Sequence, residues 1–132
     1  MNDNFSDLDL HDEQTPEIQI DGIDSAIGIN NVLGDEALFL EILAMFYEDH
    51  NEDGKKLEQA ISTEDYTALK HIVHTLKGVS SSVGATSLFE CTKALDEAIN
   101  KNISDDYAPL YQTLLPEFNK VMDSISAKLI KT

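Results

Sequence analysis

The stretch TEDYTALKHIVHTLKGVSSSVG, residues 63–84, has the apolar spacing of one amphipathic helix in a chain of 132 residues. On a helical wheel, four apolar positions lie within about 100° of one another. The stripe that we expect to be buried consists of Leu69, Ile72, Val73 and Leu76. Gly78 then stands in a helix interior, where glycine costs roughly 0.5–1 kcal/mol relative to alanine. The residues around this glycine suggest what it is for.

The outer face of this helix carries a histidine. His74 lies about 150° from the centre of the apolar stripe, and Gly78, one turn later, lies about 170° from it. We therefore expect His74 to face solvent on a rigid helix, with Gly78 opening space for another molecule beside its ring. An exposed imidazole is largely neutral near pH 7, so a ring nitrogen is available as a nucleophile.

Small and basic residues surround this histidine. Lys70 lies one turn before His74, and Lys77 is expected to be a mobile positive charge within reach of an anion attached to the ring. Ser81 and Ser82 keep the following turn small and polar. Such a surface can hold a phosphorylated imidazole and still admit the active site of a partner.

These residues also have ordinary structural interpretations. A surface histidine near a lysine is most often a solvated pair, and a helical glycine can serve close packing between helices. The combination of His74, Lys77 and Gly78 with a further glycine, Gly84, favours the functional interpretation. His71 and His74 could share a metal, but no glutamate helix motif or cysteine pair completes a site. We expect no metal, and we expect His71 to line a docking surface.

The rest of the chain predicts helices and no strand. Residues 1–20 are acidic and read as a tail or linker. Residues 21–34 predict a short helix with Asp24 as its N-cap, and a second helix begins at Asp35, with Gly54 as a possible interruption.

Three more helices complete the prediction. Ser62 or Thr63 is expected to cap the helix that ends near Gly84, a fourth helix spans residues 86–101, and Pro116 should kink or restart the last one. The predicted fold is all-α. It is an antiparallel four-helix bundle over residues 21–132, with a short additional N-terminal helix.

The second helix is apolar on two faces. Its expected core stripe consists of Leu38, Ile42, Met45 and Phe46, and a second stripe consists of Leu40, Leu43 and Tyr47. Either the short N-terminal helix covers the second stripe, or the stripe is partly exposed and a partner docks there beside His74.

Charge and composition restrict the partners. The net charge is −16, and all nine basic residues are lysines, of which Lys55 is the first. This balance argues against binding of nucleic acid or anionic lipid, which require basic patches. A single cysteine, Cys91, and an acidic N-terminus without a signal peptide favour the cytoplasm. We expect a cytoplasmic protein whose partners are other proteins.

The segment VHTLKGVSSSVGATSL, residues 73–88, resembles the signature of histidine-containing phosphotransfer (HPt) domains. In that signature an alanine or similar small residue and His are followed by two positions, Lys, Gly and a further Gly; position 73 of this chain holds Val where Ala is commoner. The upstream segment IDGIDSAIGINNVLGDEALFLEILAMFYED, residues 20–49, is similar to the start of HPt domains that end hybrid sensor kinases. The resemblance spans about residues 20–130.

The resemblance implies a four-helix bundle whose exposed histidine takes a phosphoryl group from an aspartyl phosphate on a receiver domain and hands it to a second receiver. By match, His74 is the phospho-acceptor, Lys77 the phosphate-stabilising lysine, Gly78 the clearance glycine and Gly84 the second glycine. Such a carrier has no ATP site, and the sequence contains no Gly-rich nucleotide loop. It needs no cofactor of its own, because the required Mg²⁺ belongs to the acidic pocket of the receiver.

The expected partners are receiver domains of response regulators, a hybrid sensor histidine kinase, or both. We expect a monomer that contacts neither nucleic acid nor the membrane. The domain is either free-standing or the end of a sensor kinase, and the linker-like residues 1–20 favour the second. The alternative function is a non-catalytic helical scaffold that binds another protein through the apolar second helix.

Overall fold

A computed structural model describes residues 19–102 and 106–130 of the chain, and within these ranges it contains helices and no strand. The helices are α1 (Ser25–Asn31), α2 (Glu36–His50), α3 (Asp53–Ser62), α4 (Tyr66–Val83), α5 (Thr86–Lys101) and α6 (Ala108–Ile125). A π-helical turn, Ser126–Ile130, continues α6. The predicted all-α bundle is confirmed.

Helix α4 lies at the centre of the packing. It contacts α1, α2, α3 and α5, while α6 packs on α2, α3 and α5. Only Gly84 and Ala85 separate α4 from α5, and so short a connection makes the two helices antiparallel neighbours. The side chains with no exposed surface include Leu43, Leu57, Leu69, Val73, Leu76, Leu88, Leu95, Leu114 and Ile125.

Aspartates begin three of the helices. The carboxylates of Asp24, Asp35 and Asp65 each accept a hydrogen bond from a backbone N–H three residues later, at 3.3, 3.0 and 3.1 Å. Each bond satisfies one of the unpaired donors at a helix start. The expected N-cap at Asp24 and the start of the second helix at Asp35 are confirmed.

The expected cap of α4 is wrong. The hydroxyls of Ser62 and Thr63 donate back to Gln59 O at 3.1 and 2.8 Å, so they close the end of α3. Glu64 then has a left-handed backbone with φ of 58°, which ends the helical path of α3. Asp65 is the N-cap of α4. A serine or threonine hydroxyl can hydrogen-bond to backbone groups that precede or follow it in the sequence. Here both hydroxyls bond to the preceding helix, so neither of them caps α4.

The predicted core stripe of the second helix is partly wrong. Leu38 and Met45 are 40% and 59% exposed, whereas Phe39, Leu43 and Phe46 turn inward and are at most 2% exposed. Leu40 and Tyr47 are half-buried against the core. Both sets of residues have helical spacing, so the packing partners rather than the spacing determine how α2 is rotated.

The predicted interruption after α2 occurs at residues 51 and 52, before Gly54. Gly54 lies in the first turn of α3, where a Cβ atom would come within 3.1 Å of the Phe118 ring. The carbonyl of Gly54 also accepts a 3.0 Å hydrogen bond from the Tyr111 hydroxyl. This glycine therefore brings α3 close to α6.

Pro116 does not restart the last helix. The helix α6 runs from Ala108 to Ile125 through Pro116. A proline in a helix interior costs about 3 kcal/mol, because it removes a hydrogen bond and crowds the preceding turn. Burial of Leu114, Phe118 and Val121 on both sides of the proline offsets that cost.

The predicted tail lies mostly outside the described residues, which begin at Gln19. Ile20, the last residue of that predicted segment, is 4% exposed and belongs to the core. The domain boundary near residue 20 stays a prediction. Within the described ranges, no helix combines the length and apolar character needed to cross a membrane.

Two glycines bring α1 against α4. A Cβ atom at Gly28 would overlap the Phe39 ring and lie 2.7 Å from the carbonyl oxygen of Val83. A Cβ atom at Gly84 would overlap the carbonyl oxygen of Asp24, and the Asp24 N–H donates to Gly84 O at 2.7 Å. Close backbone contact therefore joins the start of α1 to the end of α4.

We expect Gly28→Ala to lower the free energy of unfolding by about 1–3 kcal/mol, because the added methyl group overpacks this contact. Urea denaturation measures the change. The matched control is Gly78→Ala, which is also helical but places its methyl group in open space. A Gly28→Ala variant as stable as the control would show that α1 does not need this close approach.

Candidate functional site

The outer face of α4 presents His74 to solvent. Leu69, Val73 and Leu76 on the inner face have no exposed surface, which sets the rotation of the helix. His74 and Gly78 are consequently exposed one turn apart. The predicted orientation of both residues is confirmed. Ile72, which was expected in the buried stripe, is only half-buried.

The space beside His74 is open at Gly78. Apart from neighbouring backbone, no described heavy atom lies within 4 Å of the position that a Cβ atom would occupy there. The alternative that this glycine serves close packing between helices is therefore wrong. Within the described chain, no packing contact requires a glycine at this position.

The serines after Gly78 differ in their surroundings. Ser81 and Ser82 are exposed, as the sequence predicts. The Ser82 hydroxyl donates to Gly78 O at 3.1 Å, and its carbonyl accepts from the Asn31 side chain of α1 at 2.9 Å. Ser80 is fully buried. The small polar turn beyond Gly78 is thus tied to α1.

Lys77, which the sequence predicts as a mobile charge beside His74, is held in an ion pair. Its ammonium Nζ donates to Oδ2 of Asp96 on α5 at 2.7 Å. The side chain of Lys77 keeps 29% of its surface exposed, whereas that of Asp96 keeps 5%. A buried carboxylate requires a cationic partner, and Lys77 supplies it. The cation predicted to serve the histidine is therefore anchored to the neighbouring helix.

Lys70 and His71 extend the exposed face toward the start of α4. Thr67, Lys70, His71 and His74 line one depression on the surface of this helix. The structure therefore places Lys70, His71, His74 and Gly78 on one continuous surface.

A second depression adjoins the first at His71. It lies between α4 and the break after α2, where Asp53 is 5% exposed. The Asp53 carboxylate pairs with His50 Nδ1 at 2.8 Å, and the His50 ring also lies 5.6 Å from that of Phe46. Within the described ranges, no group of three or more His, Cys, Asp or Glu residues could hold a metal ion.

Gly84 occupies a structural position. It caps α4 in the left-handed conformation with φ of 84°, which glycine adopts without strain. It is buried against α1 and does not share the exposed surface of His74. The structure thus separates Gly84 from the other predicted site residues.

Asp96 was not among the predicted site residues. Leu88, Thr92 and Asp96 follow one another at intervals of four on α5, and all three are buried. The sequence did contain a sign of this residue, because an aspartate stands at the spacing of the buried positions of its helix. Such a position predicts a buried carboxylate that requires a cation, but only the tertiary structure shows that the cation is Lys77.

We expect Lys77→Met to lower the free energy of unfolding by about 1–3 kcal/mol, because Asp96 is left buried without a partner. Denaturant titration measures the change. The control is Lys55→Met, whose pair with Glu52 is exposed on both sides and should contribute less than about 1 kcal/mol. Equal effects of the two substitutions would contradict a structural role for the buried pair.

Comparison with known proteins identifies the family of this chain. The family model described as the Hpt domain matches residues 41–128, which is more than half of the chain and includes His74, Lys77 and Gly78. No curated protein matches the sequence significantly.

A solved structure with a similar fold is the crystal structure of the HPT domain from an Hpt sensor hybrid histidine kinase of Shewanella. The TM-score is 0.76 at 20% sequence identity, and the match covers 84% of this chain and 96% of that one. At this identity the likeness concerns the fold alone. The family match over the segment that contains the exposed histidine shows that this chain belongs to the Hpt domain family, the phosphotransfer domains of two-component signalling.

Proposed function

We propose that His74 accepts a phosphoryl group from an aspartyl phosphate on a receiver domain and that the domain passes this group to the aspartate of a second receiver. One observation carries the proposal. His74 is exposed on a helix anchored by its buried face, and the adjacent turn holds a glycine that no packing contact in the described chain requires. An aspartyl phosphate can therefore approach the imidazole closely.

The transfer needs a nucleophile and accurate positioning. The lone pair of a ring nitrogen of neutral His74 attacks phosphorus, a P–N bond forms, and the P–O bond to the receiver aspartate breaks. The electron pair of that bond stays on the aspartate, which leaves as a carboxylate. The imidazole carries the positive charge until the group moves on, and the onward step is the reverse reaction with a second carboxylate. A rigid helix contributes by holding the ring in one place.

The other predicted site residues support this reaction in different ways. Lys77 stabilises the phosphoryl group electrostatically, since 29% of its side-chain surface remains exposed beside the ion pair. Lys70, His71, Ser81 and Ser82 form the surface on which the receiver docks. Gly84 contributes indirectly, by closing α4 and joining it to α1.

The proposed partners are receiver domains of response regulators, a hybrid sensor histidine kinase, or both. The domain acts as a monomeric carrier without an ATP site, and the receiver supplies Mg²⁺ from its own acidic pocket. We propose that it works in the cytoplasm without contacting nucleic acid or membrane. The charge of −16 supports this choice of partners.

The scaffold alternative has less support. It relied on an exposed stripe of Leu40, Leu43 and Tyr47, but Leu43 has no exposed surface and the other two are half-buried against the core. The short helix α1 does contact α2. We therefore retain the phosphoryl carrier as the proposed function.

The first test is labelling by a receiver domain that carries radioactive aspartyl phosphate. Wild-type protein should acquire label that is labile in acid and stable in base, and His74→Gln should reduce labelling to background. His71→Gln tests which histidine is the acceptor, because this exposed histidine lies on the same face one turn earlier. It should still acquire label, although more slowly, since His71 belongs to the proposed docking surface and is not the proposed acceptor. Label on His74→Gln would place the acceptor elsewhere, and an unlabelled wild type would contradict the proposed function.

The second test concerns clearance at Gly78. Gly78→Gln should slow transfer by about tenfold or more, because a long side chain separates the receiver phosphate from the ring. Its free energy of unfolding should remain within about 1 kcal/mol of the wild type, since glutamine is a good helix former and no described atom obstructs it. Gly78→Ala should have a smaller kinetic effect. Unchanged transfer in Gly78→Gln would refute the clearance role.

A further inference from the structure

The cation next to the proposed phosphoryl site is partly neutralised by a buried carboxylate. Asp96 is 4% exposed, and its Oδ2 accepts from Lys77 Nζ at 2.7 Å. Its other oxygen, Oδ1, is buried without a hydrogen-bond partner in the described part of the chain. A carboxylate with one unsatisfied oxygen is costly to bury, so its presence calls for a reason other than stability.

The geometry leaves Lys77 able to serve two anions at once. An ammonium group has three N–H donors, and the bond to Asp96 occupies one of them. Lys77 follows His74 by three residues on the same helix, a spacing at which side chains are neighbours. With 29% of its side chain exposed, the remaining donors of Lys77 can turn toward a phosphoryl group on His74.

We propose that Asp96 is a positioning residue which holds the ammonium of Lys77 beside His74 and, through its own charge, weakens the attraction between that ammonium and the phosphoryl group. This inference rests on the proposed function. A free lysine would attract a dianionic phosphoryl group with a full unit charge. The Lys77–Asp96 pair has almost no net charge, and its ammonium is the more exposed end. The ammonium therefore positions the phosphoryl group, but the attraction is weak enough for the group to be released easily.

Burial strengthens the effect of the carboxylate. Charges that water does not surround are screened less by salt and solvent than exposed charges. The other carboxylates of α5, at Glu90 and Glu97, are exposed. Asp96 is therefore the residue of this helix whose charge should change the phosphorylation equilibrium of His74.

The experiment measures the equilibrium ratio of phosphohistidine to aspartyl phosphate after mixing the domain with a phosphorylated receiver. Asp96→Asn keeps the shape of the side chain and removes its charge. We expect it to raise the ratio about three- to tenfold, because Lys77 then acts on the phosphoryl group with its full charge. Onward transfer to a second receiver should slow correspondingly. The control Glu97→Gln removes an exposed carboxylate of the same helix and should leave the ratio near the wild-type value.

A second pair of variants separates this role from a structural one. Lys77→Met should lower the ratio, because the phosphoryl group then faces the charge of Asp96 alone. Lys77→Met combined with Asp96→Asn should return the ratio toward the wild-type value, since both charges are gone. A residue that only stabilises the fold would change the unfolding free energy without producing this rescue. The comparison also applies if Asp96→Asn alone does not fold.

Each result decides the matter. A ratio that rises in Asp96→Asn, together with the rescue, supports the inference, whereas a rise without the rescue overturns it. A ratio in Asp96→Asn equal to that of Glu97→Gln, or lower, overturns it while the proposed function stands. If Asp96→Asn does not fold, a double variant no closer to the wild type than Lys77→Met overturns it. An unlabelled wild-type protein overturns the proposed function and this inference with it, and that failure is recognised because it does not depend on any variant.

Discussion

Burial of the inner face of α4 is the interaction on which the rest of this structure depends. Leu69, Val73 and Leu76 have no exposed surface and contact the helices on either side. Burying one such side chain contributes about 1.5–3 kcal/mol, so rotating the helix would sacrifice most of this free energy. The orientation of His74 is therefore a consequence of the core, and the imidazole needs no contact of its own to face outward.

Glycine serves two opposite purposes around this helix. At Gly28 and Gly84 the missing side chain lets backbone and ring atoms of the same chain approach closely, which fastens α1 to the end of α4. At Gly78 the space stays empty within the described chain. The first kind of glycine holds the surface in place, and the second leaves the surface accessible. A carrier that meets more than one partner, as we propose for this domain, needs both properties.

The charged residues around α4 also divide into one that fixes a side chain in position and others that remain exposed to a partner. The exposed face of α4 combines Lys70 with the outward part of Lys77, in a protein whose overall charge is strongly negative. The Asp96 carboxylate gives Lys77 a defined position. An unanchored lysine would lose conformational entropy when it binds a phosphate, whereas the ion pair has already ordered the side chain of Lys77. On our proposals, the receiver supplies the metal and the reactive phosphate. This domain supplies the imidazole of His74 in a fixed position and the ammonium of Lys77, whose charge Asp96 partly neutralises.

The sequence alone determined the helical class, the N-caps at Asp24 and Asp35 and the outward position of His74 and Gly78, because these depend on local spacing and on hydrogen bonds within one turn. It did not determine which apolar face of α2 is buried, since both faces have helical spacing and only contact with other helices distinguishes Phe39 from Leu38. Nor could it show that Lys77 is bound to Asp96. That pair joins residues 19 positions apart on different helices, and it exists only because packing of α4 on α5 buries the carboxylate and brings it to the lysine.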